Sequence, residues 1–201
     1  MKKTLLIAVV SLLSMSAMAQ DGFTYGAKVG FDLTNFVGKD VPHDMKAGYQ
    51  AGVFAEYRFT DSKFAIAPEV VFASQGGKYE DEILGVKTDV TDEFNYINVP
   101  VMLKCYVAPD FSIDLGPQVG FNVYGKRTSE AKAGGASAKT KVDVKDNLKT
   151  VDFGVGLGAT YNLSENAFLQ ARYTLGLTKV WDVEHTNAKN GNIQVAFGYR
   201  F

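Results

Sequence analysis

Apolar and polar residues alternate along most of this chain, and the segment TVDFGVGLGATYNL (150–163) shows the pattern clearly. Valine, phenylalanine, leucine, alanine and tyrosine occupy one parity, whereas aspartate, glycine, threonine and asparagine occupy the other. A period of two is typical of a β-strand with two different faces. After the first twenty residues, no segment repeats apolar residues at helical spacing. The pattern therefore predicts an all-β protein.

Eight runs with this pattern follow one another, and the connections between them alternate in length. Tight turns of turn-forming residues lie at 60–62, 108–110 and 164–166. Outer-membrane barrels have short periplasmic turns and long external loops. The sequence therefore predicts a single eight-stranded antiparallel transmembrane β-barrel. Its strands are expected at 23–36, 47–59, 63–76, 93–107, 111–125, 150–162, 167–180 and 192–201, and its extracellular loops at 37–46, 77–92, 126–149 and 181–191.

Two architectures can use such strands, namely a soluble sandwich or barrel with its apolar face inward and a membrane barrel with that face outward. The polar parity is mostly Gly, Gln, Thr and Asn, which suits the crowded interior of an eight-stranded barrel. Aromatic residues near both ends of the strands resemble the two interfacial girdles. We therefore expect the membrane form. The predicted girdles contain Phe23, Tyr25, Tyr57, Phe59, Phe64, Phe111, Tyr161, Tyr199 and Phe201 near the turns, and Phe72, Phe94, Tyr124, Phe153 and Trp181 near the loops.

The polar parity also collects five acids and five bases, which this topology would place inside the barrel. Charges buried in a narrow lumen must be paired, so the balance favours an internal ion-pair network. A selective pore would more naturally show a ring of one sign, although a narrow channel for small solutes stays open as an alternative. The predicted network comprises Lys28, Asp32, Glu56, Arg58, Glu69, Lys104, Asp114, Asp152, Arg172 and Arg200.

Two neighbouring external loops carry opposite charge. The loop at 126–149 is rich in bases, and the loop at 77–92 is rich in acids. Their opposite signs would allow them to cover the barrel mouth, and the basic loop would suit the phosphates of lipid A. Because exposed charge pairs are weak, we favour the simpler expectation of two solvated, flexible loops.

The first residues have the layout of a secretory signal peptide. Lys2 and Lys3 precede an apolar run at 5–13, and the small-residue pattern at 17–19 predicts cleavage after Ala19. Residues 20–201 would then form the barrel domain. The formal net charge of −1 does not indicate binding to nucleic acid, and a single cysteine rules out a disulfide framework. We expect no cofactor and no metal.

Few residues support the interpretation that this protein is an enzyme. His43 and His185 are the available bases near neutral pH, and both lie in predicted loops. Ser74 and Ser129 lie near the outer rim, but the sequence places neither beside a histidine and an acid. We predict no catalytic residues, and an outer-membrane lipid-modifying enzyme remains a further alternative.

Three segments carry a resemblance to a known family. FNYINVPVMLKCYV (94–107) and ARYTLGLTKV (171–180) resemble strands of the outer-membrane β-barrel domain of PorT-like proteins. The terminal VAFGYRF, with Phe197, Tyr199 and Phe201, is similar to the signal by which the outer-membrane assembly machinery recognises its clients.

The resemblance implies a location in the outer membrane of a Gram-negative bacterium and insertion by that machinery. The family is functionally mixed, and some members assist protein secretion, so no catalytic residue carries over. We expect a porin-like but non-enzymatic structural or interaction component of the cell envelope. Its expected partners are outer-membrane lipids and lipopolysaccharide, the assembly machinery during insertion, and an unidentified protein.

Overall fold

The computed structural model describes residues 22–38, 44–83, 86–133, 136–182 and 187–201. The predicted signal peptide and both histidines, His43 and His185, lie outside these ranges. The described residues form nine strands and one short 3-10 helix at Lys145–Asn147. The strands are β1 (Phe23–Val37), β2 (Lys46–Arg58), β3 (Phe64–Ile83), β4 (Val86–Ala108), β5 (Phe111–Ala133), β6 (Ala136–Asp143), β7 (Val151–Asn162), β8 (Ala167–Gly176) and β9 (Lys189–Arg200).

Eight of these strands close into one antiparallel barrel. Hydrogen bonding runs in the order β4, β3, β2, β1, β9, β8, β7, β5, and pairing of β4 with β5 closes the ring. The first strand pairs with the last one, with Gly26 opposite Arg200 and Val37 opposite Lys189. The remaining strand, β6, pairs with β5 alone. The predicted eight-stranded antiparallel barrel is confirmed, and β6 is an addition to it.

The two faces of the barrel wall have opposite character. Outward side chains are apolar, as shown by Val29 and Leu157, which are 59% and 57% exposed. Inward side chains are polar, and Asp32 and Asp114 are 1% and 0% exposed. A soluble sandwich would show the reverse arrangement, so that alternative is wrong. Among the described residues, no helix has the length and apolar character needed to cross a membrane.

Closure of the barrel explains why the chain can end on an aromatic residue. The Phe201 N–H donates to the Tyr25 carbonyl at 2.9 Å, and the Phe201 ring packs against Tyr25 and Tyr199 at centroid distances of 5.9 and 5.6 Å. The last strand therefore has no free edge. All three rings lie on the apolar outer face, near the end of the barrel that carries the short turns, called here the turn end.

The opposite end of the barrel, called here the loop end, differs from the sequence prediction. The segments 77–92 and 126–149, expected as flexible loops, are largely strand, because β3, β4 and β5 continue past the last residues that pair with β2 and β7. With β6, their extensions form a four-stranded antiparallel sheet of about seven rows, or roughly 20 Å in length. We call this the projecting sheet. It comprises residues 78–83, 86–92, 126–133 and 136–143.

Two smaller predictions are also wrong. Strand β8 ends at Gly176 rather than at residue 180. Phe94, expected in the outer aromatic girdle, is fully buried on the inner face, because it shares its parity with the inward-facing Lys104 on β4. Both differences arise where the connections at the loop end fold over the barrel mouth.

Candidate functional site

The middle of the lumen is held by one carboxylate that two cations share. Arg172 on β8 donates two hydrogen bonds to Glu69 on β3, at 3.0 and 2.7 Å, and Lys28 on β1 donates to the same carboxylate at 2.6 Å. In the strand order, β3 and β8 lie on opposite sides of the ring. The Arg172–Glu69 pair therefore crosses the whole lumen.

A second acid, Asp114, lies beside this group and is satisfied by neutral groups. It accepts hydrogen bonds from Ser112 at 2.7 Å and Thr160 at 2.5 Å, with a longer contact from Gln170 at 3.4 Å. Gln170 in turn accepts a hydrogen bond from Lys28 at 2.9 Å. Asp114 and Glu69 thus belong to one connected network across the middle of the lumen.

A second ion-pair layer lies nearer the turn end. Glu56 accepts hydrogen bonds from Lys104 at 2.9 Å and from the hydroxyl of Tyr106, and Arg200 lies 3.9 Å away. Arg58 was predicted inside the lumen, but it is exposed at the turn end, with its guanidinium 3.8 Å from the centroid of the Tyr106 ring. It lies at the last position of β2, at the rim of the barrel wall, where it pairs with Ala65 of β3.

Aromatic rings fill the lumen between polar groups at this level. Phe54 and Phe168 meet edge to face at 5.3 Å, and both are buried inside the barrel. A Cβ atom at Gly198 would collide with the Phe168 ring. Glycine on the inner parity therefore leaves the space that a large ring occupies.

The polar side chains in the layer above Glu69, toward the loop end, form fewer hydrogen bonds. Asp32 lies beside Asn192 without a well-formed hydrogen bond, and Lys28 and Lys46 are its nearby cations. Asp152, which is only half-buried, accepts a hydrogen bond from Asn190 at 2.8 Å. The sequence analysis missed Lys46 as a lumen residue, although Lys46 shares its parity with the buried Gln50 and Glu56.

An apolar cluster covers the lumen at the loop end, and we call it the cap. Phe36 on β1 contacts Phe94 on β4 at a centroid distance of 5.9 Å, and Trp181 meets Phe94 edge to face at 5.4 Å. Since two strands separate β1 from β4 in the ring, these contacts reach across the mouth. The cap comprises Phe36, Phe94, Tyr96, Val144, Leu148, Val180 and Ala188, with Trp181 partly buried against them.

Backbone hydrogen bonds join the two connections that supply most of the cap. The Lys149 N–H donates to the Val180 carbonyl at 2.9 Å, and the Asp182 N–H donates to the Asn147 carbonyl at 2.9 Å. Leu148 and Trp181 form an isolated antiparallel bridge between them. The connection after β6 and the connection after β8 are therefore one paired unit over the barrel mouth.

Ion pairs join the strands of the projecting sheet, and one of their residues, Arg127, also contacts the cap. Arg127 on β5 binds the buried Asp92 on β4 with two hydrogen bonds of 2.7 and 2.8 Å, and its guanidinium lies 4.8 Å from the Trp181 ring. These hydrogen bonds from Arg127 to Asp92, helped by their opposite charges, raise the pKa of the guanidinium. Lys132 pairs with Asp89 at 2.6 Å in the same way, on the exposed face. The opposite charges of the two segments therefore meet inside the projecting sheet, whereas the barrel mouth is covered by the cap.

A cavity of about 530 Å³ opens at the turn end. Its lining includes Glu56, Arg58, Tyr106 and Arg200 together with residues of the turns. Arg200 is held there by the side-chain oxygen of Asn162 at 2.9 Å. The inner boundary of the cavity is the Glu56 ion-pair layer, so the lumen is entered from this end and closed beyond it.

Comparison with protein families gives one match over most of the chain. Residues 18–182 match the model of the outer membrane protein beta-barrel domain. The chain belongs to this family. It is therefore an integral β-barrel protein of the bacterial outer membrane. No curated protein shows a significant sequence match to it.

Several solved structures are similar to this member of the outer-membrane β-barrel family, at low sequence identity. Ail, the attachment invasion locus protein of Yersinia pestis, is 15% identical with a TM-score of 0.48, covering 90% of this chain and 100% of its own. Neisserial surface protein A has the same identity and TM-score, with coverages of 90% and 98%. The N-terminal barrel domain of Pseudomonas aeruginosa OprF is 11% identical with a TM-score of 0.40, covering 88% and 97%.

Membership of this family sets the orientation of the barrel. In outer-membrane barrels, the short turns face the periplasm and the long connections face outward. The cap and the projecting sheet of this family member are accordingly extracellular, and the cavity with Arg58 is periplasmic. The external region therefore has a fixed structure of its own, rather than being a set of separate loops.

The residues considered for catalysis do not come together in the described part of this barrel. Ser74 is buried under the cap and accepts a hydrogen bond from Lys46 at 3.3 Å, whereas Ser129 lies on β5 in the projecting sheet. No group of three or more His, Cys, Asp or Glu side chains suited to a metal occurs among the described residues.

Proposed function

We propose that this outer-membrane barrel is a non-enzymatic structural or interaction protein that displays its projecting sheet at the cell surface. The observation that carries the proposal is the crossing of the lumen by the Arg172–Glu69 pair, which joins opposite walls of the barrel. The Tyr96 hydroxyl also accepts a contact from Asn190 at 3.5 Å, again between opposite strands. A barrel filled in this way serves as an anchor, and its external surface is then the part available to partners.

The finer assignments belong to the same proposal. We infer that the chain is PorT-like, that its signal peptide is cleaved after Ala19, and that the terminal Phe197, Tyr199 and Phe201 guide insertion by the assembly machinery. The apolar outer face supports contact with lipids and lipopolysaccharide, and the projecting sheet supports contact with another envelope or extracellular protein. The positions of Ser74 and Ser129 support a non-enzymatic role.

The deciding measurement is single-channel conductance of the refolded mature protein in planar bilayers. We expect no steady openings from the wild type, because the Glu69 layer and the cap both close the lumen. The variant Glu69→Ala removes the group that both cations share, and the variant Trp181→Ala weakens the cap. We expect only the double variant to admit ions, and only in brief openings, because each single variant leaves the Glu69 layer or the cap in place. The Glu56 layer narrows the lumen in every variant.

Folding of each variant is checked by its changed migration on a gel before and after boiling. Steady openings of the folded wild-type protein would contradict the proposal and favour the narrow-channel alternative. In that case the cavity of about 530 Å³ at the periplasmic end would be the entrance. Silence from the wild type, with openings only in the double variant, would support an anchoring barrel.

A further inference from the structure

We propose that the free edge of β6 binds an extended, acidic segment of another protein by adding it as a further strand to the projecting sheet. This proposal rests on the proposed function only in that the sheet is displayed outside the cell. The class of partner follows from the backbone and the charges of β6.

The first observation is that one edge of β6 has no partner strand in the described part of the chain. The strand pairs with β5 from Ala136 opposite Ala133 to Asp143 opposite Lys126, and it ends the sheet. All side chains from 137 to 143 are exposed, so nothing among the described residues covers them. An exposed edge of this length is a template for strand addition.

The second observation identifies the backbone groups at that edge. The Val144 N–H donates to the Gly125 carbonyl at 3.1 Å. Since hydrogen-bonded and non-hydrogen-bonded pairs alternate in an antiparallel ladder, Thr140 and Val142 face β5 with their backbone groups. The N–H and carbonyl groups of Lys139 and Lys141 therefore point away from the sheet. An incoming strand would form its hydrogen bonds with these two residues and with Ser137 and Asp143, which share their parity.

The third observation is the charge at the same two positions. Lys139 and Lys141 lie on one face of the sheet, opposite Glu130 and Thr128 of β5. No ion pair of either lysine is found within the described residues. Two other bases of this hairpin are engaged, because Arg127 binds Asp92 and Lys132 binds Asp89, and Lys126 lies on the inner strand β5 rather than at the edge. The edge of β6 thus presents two positive charges spaced two residues apart. Asp143 follows at the same spacing, and its carboxylate accepts the Lys145 N–H at 2.9 Å.

These features select the sequence of the partner segment. Residues directly opposite Lys139 and Lys141 should be acidic, because opposite charges stabilise cross-strand pairs. The residues between them should be small or β-branched, to match Ala138, Thr140 and Val142 on the other face. A second copy of β6 suits this edge less well, because a symmetric antiparallel pair centred on Thr140 would put Lys139 opposite Lys141, and like charges repel. The register that pairs Lys141 with Asp143 in both directions overlaps only three residues of each strand.

The test uses the refolded mature protein in nanodiscs and a fluorescent nine-residue peptide of alternating glutamate and valine. Binding is measured by fluorescence anisotropy, and a peptide of alternating lysine and valine is the control probe. We expect saturable binding of the acidic peptide only. We expect the charge reversal Lys141→Glu to weaken it about tenfold. The matched control is Lys126→Glu on the inner strand β5, which changes the hairpin charge equally and should weaken binding by less than about threefold.

A second pair of variants separates strand addition from simple charge attraction. Lys139→Gln removes one charge but keeps the outward N–H, whereas Lys139→Pro removes both. Proline is tolerated at an edge position whose N–H faces away from the sheet, so the barrel should still fold and change its gel migration on boiling. We expect Lys139→Pro to weaken binding at least about fivefold more than Lys139→Gln, because it also blocks a ladder hydrogen bond.

Three outcomes would overturn the proposal. Failure of the wild type to bind the acidic peptide would exclude this edge as a docking site. Equal losses from Lys139→Pro and Lys139→Gln would show charge attraction without strand addition. Equal losses from Lys126→Glu and Lys141→Glu would show that the site is not the β6 edge. None of these results depends on conductance, so this failure is distinguishable from failure of the anchoring function.

Discussion

Glu69 shows how much of the lumen depends on a single side chain. Its carboxylate is bound by Arg172 from the opposite wall and by Lys28 from β1, and all three side chains are almost fully buried. Buried ion pairs are costly to assemble but more costly to break, because the remaining charge has no solvent. Asp114 is the neighbouring acid of this layer, and Glu69 is the acid that binds both bases directly.

We expect Glu69→Gln to destabilise the folded barrel by about 3–5 kcal/mol, because it leaves two buried cations without a carboxylate. Urea unfolding in lipid vesicles, followed by gel migration, measures the loss. The matched control is Glu165→Gln in an exposed periplasmic turn, which should change stability by less than about 0.5 kcal/mol. A loss of under about 1 kcal/mol for Glu69→Gln would show that the lumen network does not hold the barrel together.

Residue parity carried more information than the sequence prediction used. Phe94 has the parity of Lys104, and Lys46 has the parity of Gln50, so both could have been assigned to the lumen from the sequence. Phe94 was instead assigned by its nearness to a loop. The pairing of Asp92 with Arg127 is different, because the two residues are distant in the chain and only the register of β4 on β5 brings them together.

At the scale of elements, the distinctive feature is the length of the central ladder. Strands β4 and β5 each have 23 residues, whereas about 9–11 residues suffice to cross a membrane. The extra residues form the projecting sheet. Its stability depends on contacts outside the bilayer, and the Arg127–Asp92 pair is the most buried of its ion pairs.

We expect Arg127→Met to loosen the projecting sheet without unfolding the barrel, because Asp92 then remains buried without a cation. Amide hydrogen exchange in 126–133 should become about tenfold to a hundredfold faster, as expected for loss of charge-assisted hydrogen bonds. Exchange in the β7–β8 ladder should stay unchanged. The control variant Lys149→Met disturbs only an exposed pair at 3.9 Å with Asp182, and equal effects of both variants would contradict the assigned role of Arg127.

At the scale of the whole molecule, the barrel is closed at its extracellular end and has an open cavity at its periplasmic end. The cap joins strands β1 and β4 with two external connections, and the periplasmic end keeps a cavity of about 530 Å³. The chain contains one tryptophan, Trp181, and it lies in the cap. Tryptophan fluorescence therefore reports on the cap without interference from another residue.

We expect Leu148→Ala to open the cap, since it removes a buried side chain that packs beside Trp181. Quenching of Trp181 by acrylamide should rise about twofold, and the emission should shift to the red, as expected when local packing is lost. The change of gel migration on boiling should persist, because the barrel ladder is untouched. The control is Val142→Ala, at an exposed position of β6, and equal quenching in both variants would place Trp181 outside the cap.

The sequence by itself determined the strand periodicity, the inward and outward parities and the alternation of short and long connections. These are local properties, because successive side chains of a strand point to opposite faces and turns are set by a few residues. Together they were enough to predict the eight-stranded membrane barrel.

Only the tertiary structure decided which charges meet, how far the strands continue and what covers the mouth. Glu69 and Arg172 are 103 residues apart, and their contact exists because ring closure places β3 opposite β8. The strand extensions are stable because a neighbouring strand supplies hydrogen-bond partners, which no local pattern records. The cap likewise depends on two connections that contact each other only after the barrel has closed.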